Sequence, residues 1–406
     1  MDPESASRLD APDSQPGACT SALQVNFAAL LATPIRWVVG WLYFSAFWRR
    51  VVLENKLDPD AAGYVGEKFN HFLPHAILIK PVIAFFVSHP TLLFWKLIAF
   101  TAVEAVVGLG LMLGLMTRLA GIGVSALALG ILLGAGWLGT TCLDEWQIGV
   151  MGVVCGLLVV FTGGGPVSVD HAMVRVRPSL GQGKWFAPLA SGHLRLFDRP
   201  RGLTMVVVVI SAASLLLTLW TNQVFHGGVY GQLHNKSVAP HVTIYEAALQ
   251  PEGVLRLRLM RDQGPDVYGS FVIGVSVRAA DGAIVEHFDG AALAALAPEA
   301  IKNWYVARVR PGEHSLILPL GALAELRLAS NKLENLAGGE YRVEIEDISG
   351  RSWSAPVQSG APIARPTSGL WARFPISGQR ESGVSIGMPG TKSGPFAAAT
   401  TRAAEE

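Results

Sequence analysis

Long apolar runs separated by short polar segments fill the first half of the chain. A helix needs about 20 mostly apolar residues to cross a bilayer, because each residue adds about 1.5 Å. Five runs meet or approach that length, at residues 31–51, 91–116, 119–138, 146–161 and 203–220. The pattern predicts a membrane protein with an α-helical four-span bundle and a fifth transmembrane helix.

A further apolar stretch, residues 69–88, is interrupted by Pro74 and Pro81. Proline removes a backbone donor and interrupts a helix. The stretch is therefore predicted to be an interfacial or re-entrant element, with a sixth span as the alternative.

Beyond residue 240 the pattern changes to short runs in which apolar and polar residues alternate, separated by turn signals such as QPEG, AADG and RPGE. Such alternation is typical of half-buried strands. The runs are residues 242–245, 254–259, 268–277, 305–309, 315–319, 341–345 and 352–357. They predict an antiparallel, Ig-like β-sandwich of seven to nine strands.

The distribution of charge supports this division. Charged residues make up 16% of the chain, against about 25% in soluble domains. Residues 81–169 contain five of them and residues 202–222 contain none. We divide the chain into a flexible tail (1–24), a transmembrane bundle (25–173), a basic cytoplasmic linker (174–202), a fifth transmembrane helix (203–222), a β-sandwich domain (223–371) and a disordered tail (372–406).

Lysine and arginine in short loops predict the orientation. Residues 163–201 contain six of them against two acids, so this segment is predicted to be cytoplasmic. A multi-pass protein of the cytoplasmic (inner) membrane then has its C-terminal domain in the periplasm or outside. The basic residues between positions 49 and 80 fall on that outer side, against the rule, and a misplaced basic cluster is typical of an anion site.

Composition also excludes several classes of function. A net charge of +1 gives no electrostatic basis for binding nucleic acid. Three cysteines are too few for a disulfide framework or a four-thiolate cluster, and no nucleotide-binding or haem-attachment motif is present. No flavin, haem or metal is therefore expected.

Three polar clusters lie on the predicted outer side. The segment GTTCLDEWQ, residues 139–147, contains Cys142, Asp144, Glu145 and Trp146. As a thiolate, Cys142 is a candidate nucleophile toward sulfur, although the adjacent acids raise the pKa of a thiol. The alternative is a solvated loop with an interfacial tryptophan and a small buried thiol.

The other two clusters are basic. In KFNHFLPH, residues 68–75, two histidines are candidates for proton transfer at neutral pH, and the lysines there are candidates for binding an anion. Two arginines at the end of the first apolar run are candidates for the same task. The residues are Lys68, His71, His75, Lys80, Arg49 and Arg50. Interfacial polarity and lipid anchoring are the alternatives.

Glu104 is the single acid in the second apolar run. An ionisable side chain at that depth is costly unless it has a partner, so it is a functional candidate. We assign Glu104 and Trp146 to quinone or proton handling, with Arg36 as a candidate partner of Glu104. A structural hydrogen bond between helices is the alternative.

Several of these segments resemble known families. WLYFSAFWRR, EKFNHFLPH and GTTCLDEWQIG, within residues 35–173, resemble the DoxD family. LHNKSVAPHV, GPDVYGSFVIGV and VRPGEHSLILPLGA, within residues 224–354, resemble the DoxA family. The two families are the subunits of thiosulfate:quinone oxidoreductase, here in one chain. The resemblance implies that two thiosulfate ions are coupled to tetrathionate and that two electrons pass to a membrane quinone, most simply of ubiquinone type.

On this basis thiosulfate, the quinone pool and the lipid bilayer are the expected partners, and a homo-oligomer is allowed. Arg49, Arg50, Lys68 and Lys80 would gather the dianion, and Cys142 would hold one thiosulfate as a mixed disulfide. Glu104, His71, His75 and Asp144 would supply protons, and the β-domain would cap the entrance. The alternatives are a DoxX-like membrane protein acting on thiols or disulfides with quinone, and a non-catalytic scaffold whose β-sandwich binds a partner.

Overall fold

The computed structural model describes residues 27–61, 63–139, 144–181, 183–192, 200–265, 270–334, 336 and 339–359. These belong to one unit of the chain, residues 1–363. The predicted tails 1–24 and 372–406 lie outside the described residues, as do Cys142 and the side chain of Asp144.

The helices are numbered in chain order. They are α1 (Thr33–Phe47), α2 (Val65–His71), α3 (Lys80–Val87), α4 (Pro90–Leu113), α5 (Thr117–Ala135), α6 (Asp144–Thr162), α7 (Val169–Val176), α8 (Pro178–Gly181), α9 (Phe186–Leu189), α10 (Pro200–Phe225) and α11 (Gly290–Ala294).

Four of these helices, α4, α5, α6 and α10, are long and apolar enough to cross a membrane, which confirms four of the five predicted spans. The chain is therefore a multi-pass membrane protein. Small residues let the helices approach closely: a Cβ on Gly108 of α4 would lie 2.5 Å from the backbone nitrogen of Phe44 on α1.

The first predicted span, residues 31–51, is not a single α-helix of that length. It consists of the 15-residue α1 followed by a π-helical segment, Trp48–Leu53. Whether this element is the fifth spanning helix stays a prediction.

The proline-containing stretch forms two short helices, α2 and α3, joined by residues 72–79. Because α2 ends at His71, His71 and His75 do not share a helix face.

The C-terminal part is a nearly barrel-shaped β-domain whose described strands follow the order β5-β8-β2-β1-β10-β9-β3-β7-β6, with β4 paired to β3. The strands are β1 (His241–Leu249), β2 (Val254–Gln263), β3 (Ser270–Ala279), β4 (Ile284–Asp289), β5 (Ile301–Asn303), β6 (Arg310–Pro311), β7 (Leu316–Leu318), β8 (Leu323–Ala329), β9 (Tyr341–Asp347) and β10 (Ser352–Ser359). The described residues thus form ten strands, where the sequence predicted seven to nine. Among these strands every pair is antiparallel except β1 with β10, which is parallel. The Ig-like assignment stays a prediction.

One predicted strand, residues 305–309, is wrong. Its alternation is real, since Tyr305, Ala307 and Val309 are buried. The backbone polar groups of Val309, however, are bound by the Asn303 side chain, at 2.8 Å for N–H to Oδ1 and 3.0 Å for Nδ2 to the carbonyl oxygen. A side chain thus replaces the neighbouring strand that the alternation implied.

The β-domain sits on one end of the helix bundle. Phe225, at the end of α10, packs with Ala135, Trp137 and Leu138 at the end of α5 and with Leu320 of the β-domain. We call this the β-domain end of the bundle. The opposite end, where α4 meets α5 and where residues 163–192 pack, is called the linker end.

Candidate functional site

The β-domain is held to the membrane part through the segment that contains α2 and α3. Leu73 and Ile83 pack against Met260 and Leu323 in one buried cluster. Beside them Asn70, which is 0% exposed, donates from Nδ2 to the carbonyl oxygen of Gly321 at 2.8 Å. The contact fixes residues 70–80 against strand β2 of the β-domain.

Gly321 has no room for a side chain at this contact. Its φ of +75° lies in the left-handed region, and a Cβ would come within 2.4 Å of the Asn70 carbonyl oxygen. Glycine tolerates both constraints. The close approach of these two backbone segments therefore fixes the position of the β-domain relative to residues 70–80.

His75 lies in this contact. Its ring packs edge-on against Trp137 with centroids 4.7 Å apart, and it contacts the backbone of Asp262. Its Nε2 atom is buried and has no hydrogen-bond partner among the described residues. Burial, reinforced by the charge of Lys236, lowers the pKa of His75 to about 3, so the imidazole is neutral at neutral pH.

Two lysines from different parts of the chain lie near this imidazole. Lys80, at the start of α3, donates from Nζ to the Pro74 carbonyl oxygen at 2.7 Å. Burial lowers the pKa of Lys80, Asp262 opposes that change, and Lys236 adds to it. The Lys80 ammonium group is therefore within electrostatic reach of Lys236 and of the Asp262 carboxylate.

The Asp262 carboxylate is itself held by strand β1. It accepts from His241 Nδ1 at 2.7 Å and from Thr243 Oγ1 at 2.9 Å. We call His75, Lys80, Lys236, His241 and Asp262 the junction cluster. Two of its members come from the membrane part and three from the part that follows α10.

The segment between α10 and β1 brings Lys236 to this place. The Lys236 carbonyl oxygen accepts from Gly264 N at 2.9 Å. The neighbouring Ser237 hydroxyl donates to the carbonyl oxygen of Gly139, just beyond α5. Gly139 is the last described residue before Cys142, which lies outside the described residues.

A second polar pair lies within the bundle. Glu104 of α4 is 3% exposed, and its carboxylate binds Arg50 Nη1, so its partner is Arg50 and not the candidate Arg36. The Arg50 guanidinium also lies 5.9 Å from the centroid of the Phe100 ring. Arg50 belongs to the π-helical segment, a backbone form that is frequent at functional sites.

Arg36 is found at the linker end instead. It is 1% exposed and donates to the carbonyl oxygens of Leu111 at 3.0 Å, Val167 at 2.6 Å and Gly164. Its guanidinium therefore connects the end of α4 to the segment that follows α6.

The remaining predicted site residues are spread over the β-domain end. Trp146 donates from Nε1 to Thr221 Oγ1 at 3.0 Å and so connects α6 to α10. Lys68 is exposed, His71 is buried, and Glu145 is half-buried at the start of α6. Arg49 is exposed and donates to the Ser45 carbonyl oxygen at 3.3 Å. The predicted residues that the structure brings together are thus His75 with Lys80, and Arg50 with Glu104.

Sequence reasoning missed Lys236, His241 and Asp262. For the last two a signal was present. A hairpin whose turn is QPEG, residues 250–253, places position 241 opposite position 262 or 263, and the observed register pairs His241 with Gln263. For Lys236 no local signal exists, because only tertiary packing brings it to Lys80.

Comparison with known protein families shows which families the chain belongs to. Residues 31–197 match the family described as TQO small subunit DoxD, and residues 225–356 match the family described as TQO small subunit DoxA. The chain is a fused DoxD–DoxA thiosulfate:quinone oxidoreductase. Helix α10, except for its last residue, lies between the two matches, and the junction cluster draws one lysine from each of them. No group of three or more His, Cys, Asp or Glu side chains in the described ranges is arranged to hold a metal ion.

Proposed function

We propose that this oxidoreductase oxidises thiosulfate to tetrathionate on the outer face of the cytoplasmic membrane and passes the electrons to the quinone pool. Two thiosulfate dianions each lose one electron, and a sulfur–sulfur bond joins them. One quinone takes up both electrons and two protons. The observation that carries the proposal is the presence of both TQO small-subunit families in one chain whose two parts pack against each other.

The side of the membrane follows from the charge of the linker. Residues 163–201 are rich in Arg and Lys, which favours a cytoplasmic location. The β-domain lies at the other end of the bundle and would then face outward. Helix α1 supports a fifth span, because Trp37, Val38, Trp41 and Leu42 are each more than half exposed, as lipid-facing side chains would be.

The Glu104–Arg50 pair is the candidate quinone end. A buried carboxylate bound to a guanidinium fits a carbonyl-bearing ring that gains protons. Trp48 and Val103, close to the pair in the chain, are exposed apolar side chains and would face the lipid. A bound quinone would supply a two-electron acceptor that takes up two protons. There Glu104 would hold or pass a proton, and Arg50 would orient a carbonyl oxygen.

For the sulfur chemistry, a covalent route through Cys142 is the hypothesis to test. The Cys142 thiolate and one thiosulfate would pass two electrons to the quinone and form Cys–S–S–SO₃⁻. A second thiosulfate would then attack the sulfane sulfur, which releases tetrathionate and restores the thiolate. If this route operates, Cys142→Ser abolishes tetrathionate formation, whereas near-normal turnover by this variant refutes it. Cys155→Ser is the matched control, because Cys155 lies within α6.

The test of the proposed function uses the purified full-length protein in detergent. Thiosulfate and a short-chain ubiquinone are supplied, and tetrathionate and quinol are both measured. The proposal requires one tetrathionate and one quinol for every two thiosulfate ions consumed. Quinone reduction with a dithiol but not with thiosulfate would instead favour the thiol-oxidising alternative, and no reduction with either would favour a scaffold.

Sealed vesicles of known orientation test on which side of the membrane thiosulfate is oxidised, because thiosulfate does not cross the bilayer unaided.

A further inference from the structure

We propose that the junction cluster is the thiosulfate-binding site, with Lys80 of the DoxD part and Lys236 of the DoxA part on either side of the dianion. The inference rests on the proposed function and extends it. It makes the β-domain a contributor to the substrate site instead of a cap above it.

The first argument is the balance of charge. The cluster contains two ammonium groups and one carboxylate, and that carboxylate is already engaged by His241 and Thr243. The cluster therefore brings two ammonium groups and an imidazole to the contact between the two parts. At Lys80 the Asp262 carboxylate attracts the ammonium group and Lys236 repels it. A dianion between the two lysines would attract both of them.

The second argument is that His75 Nε2 is buried without a hydrogen-bond partner among the described residues. Polar atoms that are fully buried nearly always have a hydrogen-bond partner, and an exception calls for an explanation such as a catalytic role or a bound ion. Nε2 of His75 is such an exception within the described part of the chain. Its ring is held by Trp137 and by the Asp262 backbone. An anionic oxygen nearby would favour protonation of the imidazole, and Nε2 would then donate to that oxygen.

The third argument is the rigidity of the site. The Lys80 ammonium group is held by the Pro74 carbonyl oxygen, the backbone of Lys236 by the hydrogen bond to Gly264, and the two parts by the Asn70–Gly321 contact. Binding therefore has to order the Lys236 side chain but not the backbone that carries it. The site exists only when both matched segments are together, which gives their fusion in one chain a physical reason.

Steady-state kinetics of the full chain test the inference. We expect Lys236→Gln and Lys80→Gln each to raise KM for thiosulfate by about tenfold or more, with a much smaller change in kcat. Lys236→Arg keeps the charge and should restore most of the affinity. Lys332→Gln is the matched control, because Lys332 pairs with Glu286 on the surface of the β-domain. An unchanged KM in both glutamine variants overturns the inference.

A labelling experiment gives a test that needs no variant. An amine-reactive acetylating reagent is applied to the wild-type protein with thiosulfate or with sodium chloride at equal ionic strength, and each lysine is quantified by mass spectrometry. Thiosulfate should protect Lys80 and Lys236 and leave Lys332 unchanged. Equal labelling of the two junction lysines with and without saturating thiosulfate contradicts the proposal.

The failure of this inference can be separated from failure of the proposed function. If the wild-type protein forms no tetrathionate, the function is wrong. If it forms tetrathionate while both the kinetic and the labelling results are negative, the function stands and the substrate binds elsewhere. Protection by sulfate to the same extent as by thiosulfate would show a general oxoanion site and would overturn the assignment to substrate.

Discussion

The two ends of the helix bundle handle buried charge differently. At the linker end Arg36 and Arg118 donate to backbone carbonyl oxygens, and Asp170 accepts from Met116 N, Thr117 N and Ser191 Oγ at 2.8–3.0 Å. At the β-domain end the charges of Lys80 and Lys236 oppose each other, and His75 Nε2 lacks a partner within the described residues. Charges that backbone groups satisfy hold the linker end together, whereas the two lysines brought together at the β-domain end are what the proposed anion site requires.

The largest expected effect on stability comes from the linker end. Arg36→Leu removes the donor for three carbonyl oxygens in a buried place, and each unsatisfied group costs about 1–3 kcal/mol. We expect a large loss of folded protein and a lower Tm in detergent, with an unchanged KM for thiosulfate in whatever folds.

The matched control is Arg175→Leu, because Arg175 lies exposed on α7. A Tm for Arg36→Leu within about 2 °C of wild type would show that these hydrogen bonds do not stabilise the bundle. The distinction between the two ends would then fail.

Within the bundle, the Glu104–Arg50 pair tests whether an intramembrane charge pair is catalytic or structural. Glu104→Gln removes the proton carrier and leaves the Arg50 charge without its carboxylate. Loss of a positioned acid or base costs about 100-fold or more in turnover. We therefore expect quinone reduction to fall by about that factor, while thiosulfate still protects the junction lysines from acetylation.

Glu54→Gln is the control for this variant. Glu54 also pairs with a cation, Lys56, but it is largely exposed, and such surface pairs contribute little. If Glu104→Gln reduces quinone at the wild-type rate and loses only stability, the pair is structural and the quinone binds elsewhere.

Features that depend on neighbouring residues in the chain could be predicted from the sequence, whereas features that depend on tertiary contacts could not. The spans α4, α5, α6 and α10 follow from the composition of contiguous residues, so the sequence predicts them well. Arg36 and Arg50 occur in the same apolar run, and no local property distinguishes the one that binds carbonyls from the one that binds Glu104. Their partners lie on α4 and beyond α6, and only the packed bundle reveals them.

The β-domain shows the same limit. Residues 305–309 alternate as a strand does, yet the Asn303 side chain binds the backbone that a strand would have bound. His241 and Asp262 could be paired from the hairpin, because a turn fixes the register of its two strands. The approach of Lys80 to Lys236 joins residues far apart in the chain and requires the tertiary contact made by Asn70 and Gly321.

The smallest expected effect is a dependence of stability on pH that comes from the junction. The pKa of His75 is lowered to about 3 in the folded protein, against about 6.5 in an unfolded chain. As the pH falls below about 6.5, the unfolded state takes up a proton that the folded state does not, so this residue lowers stability by about 1.4 kcal/mol per pH unit until about pH 3. His75→Gln should remove this slope in thermal unfolding between pH 7.5 and pH 5, whereas His314→Gln, at an exposed position, should retain it. The same slope in both variants would mean that His75 is already accessible to protons. Thiosulfate should also reduce the slope in the wild-type protein, because a dianion beside the imidazole favours its protonated form and raises the folded-state pKa toward the unfolded one.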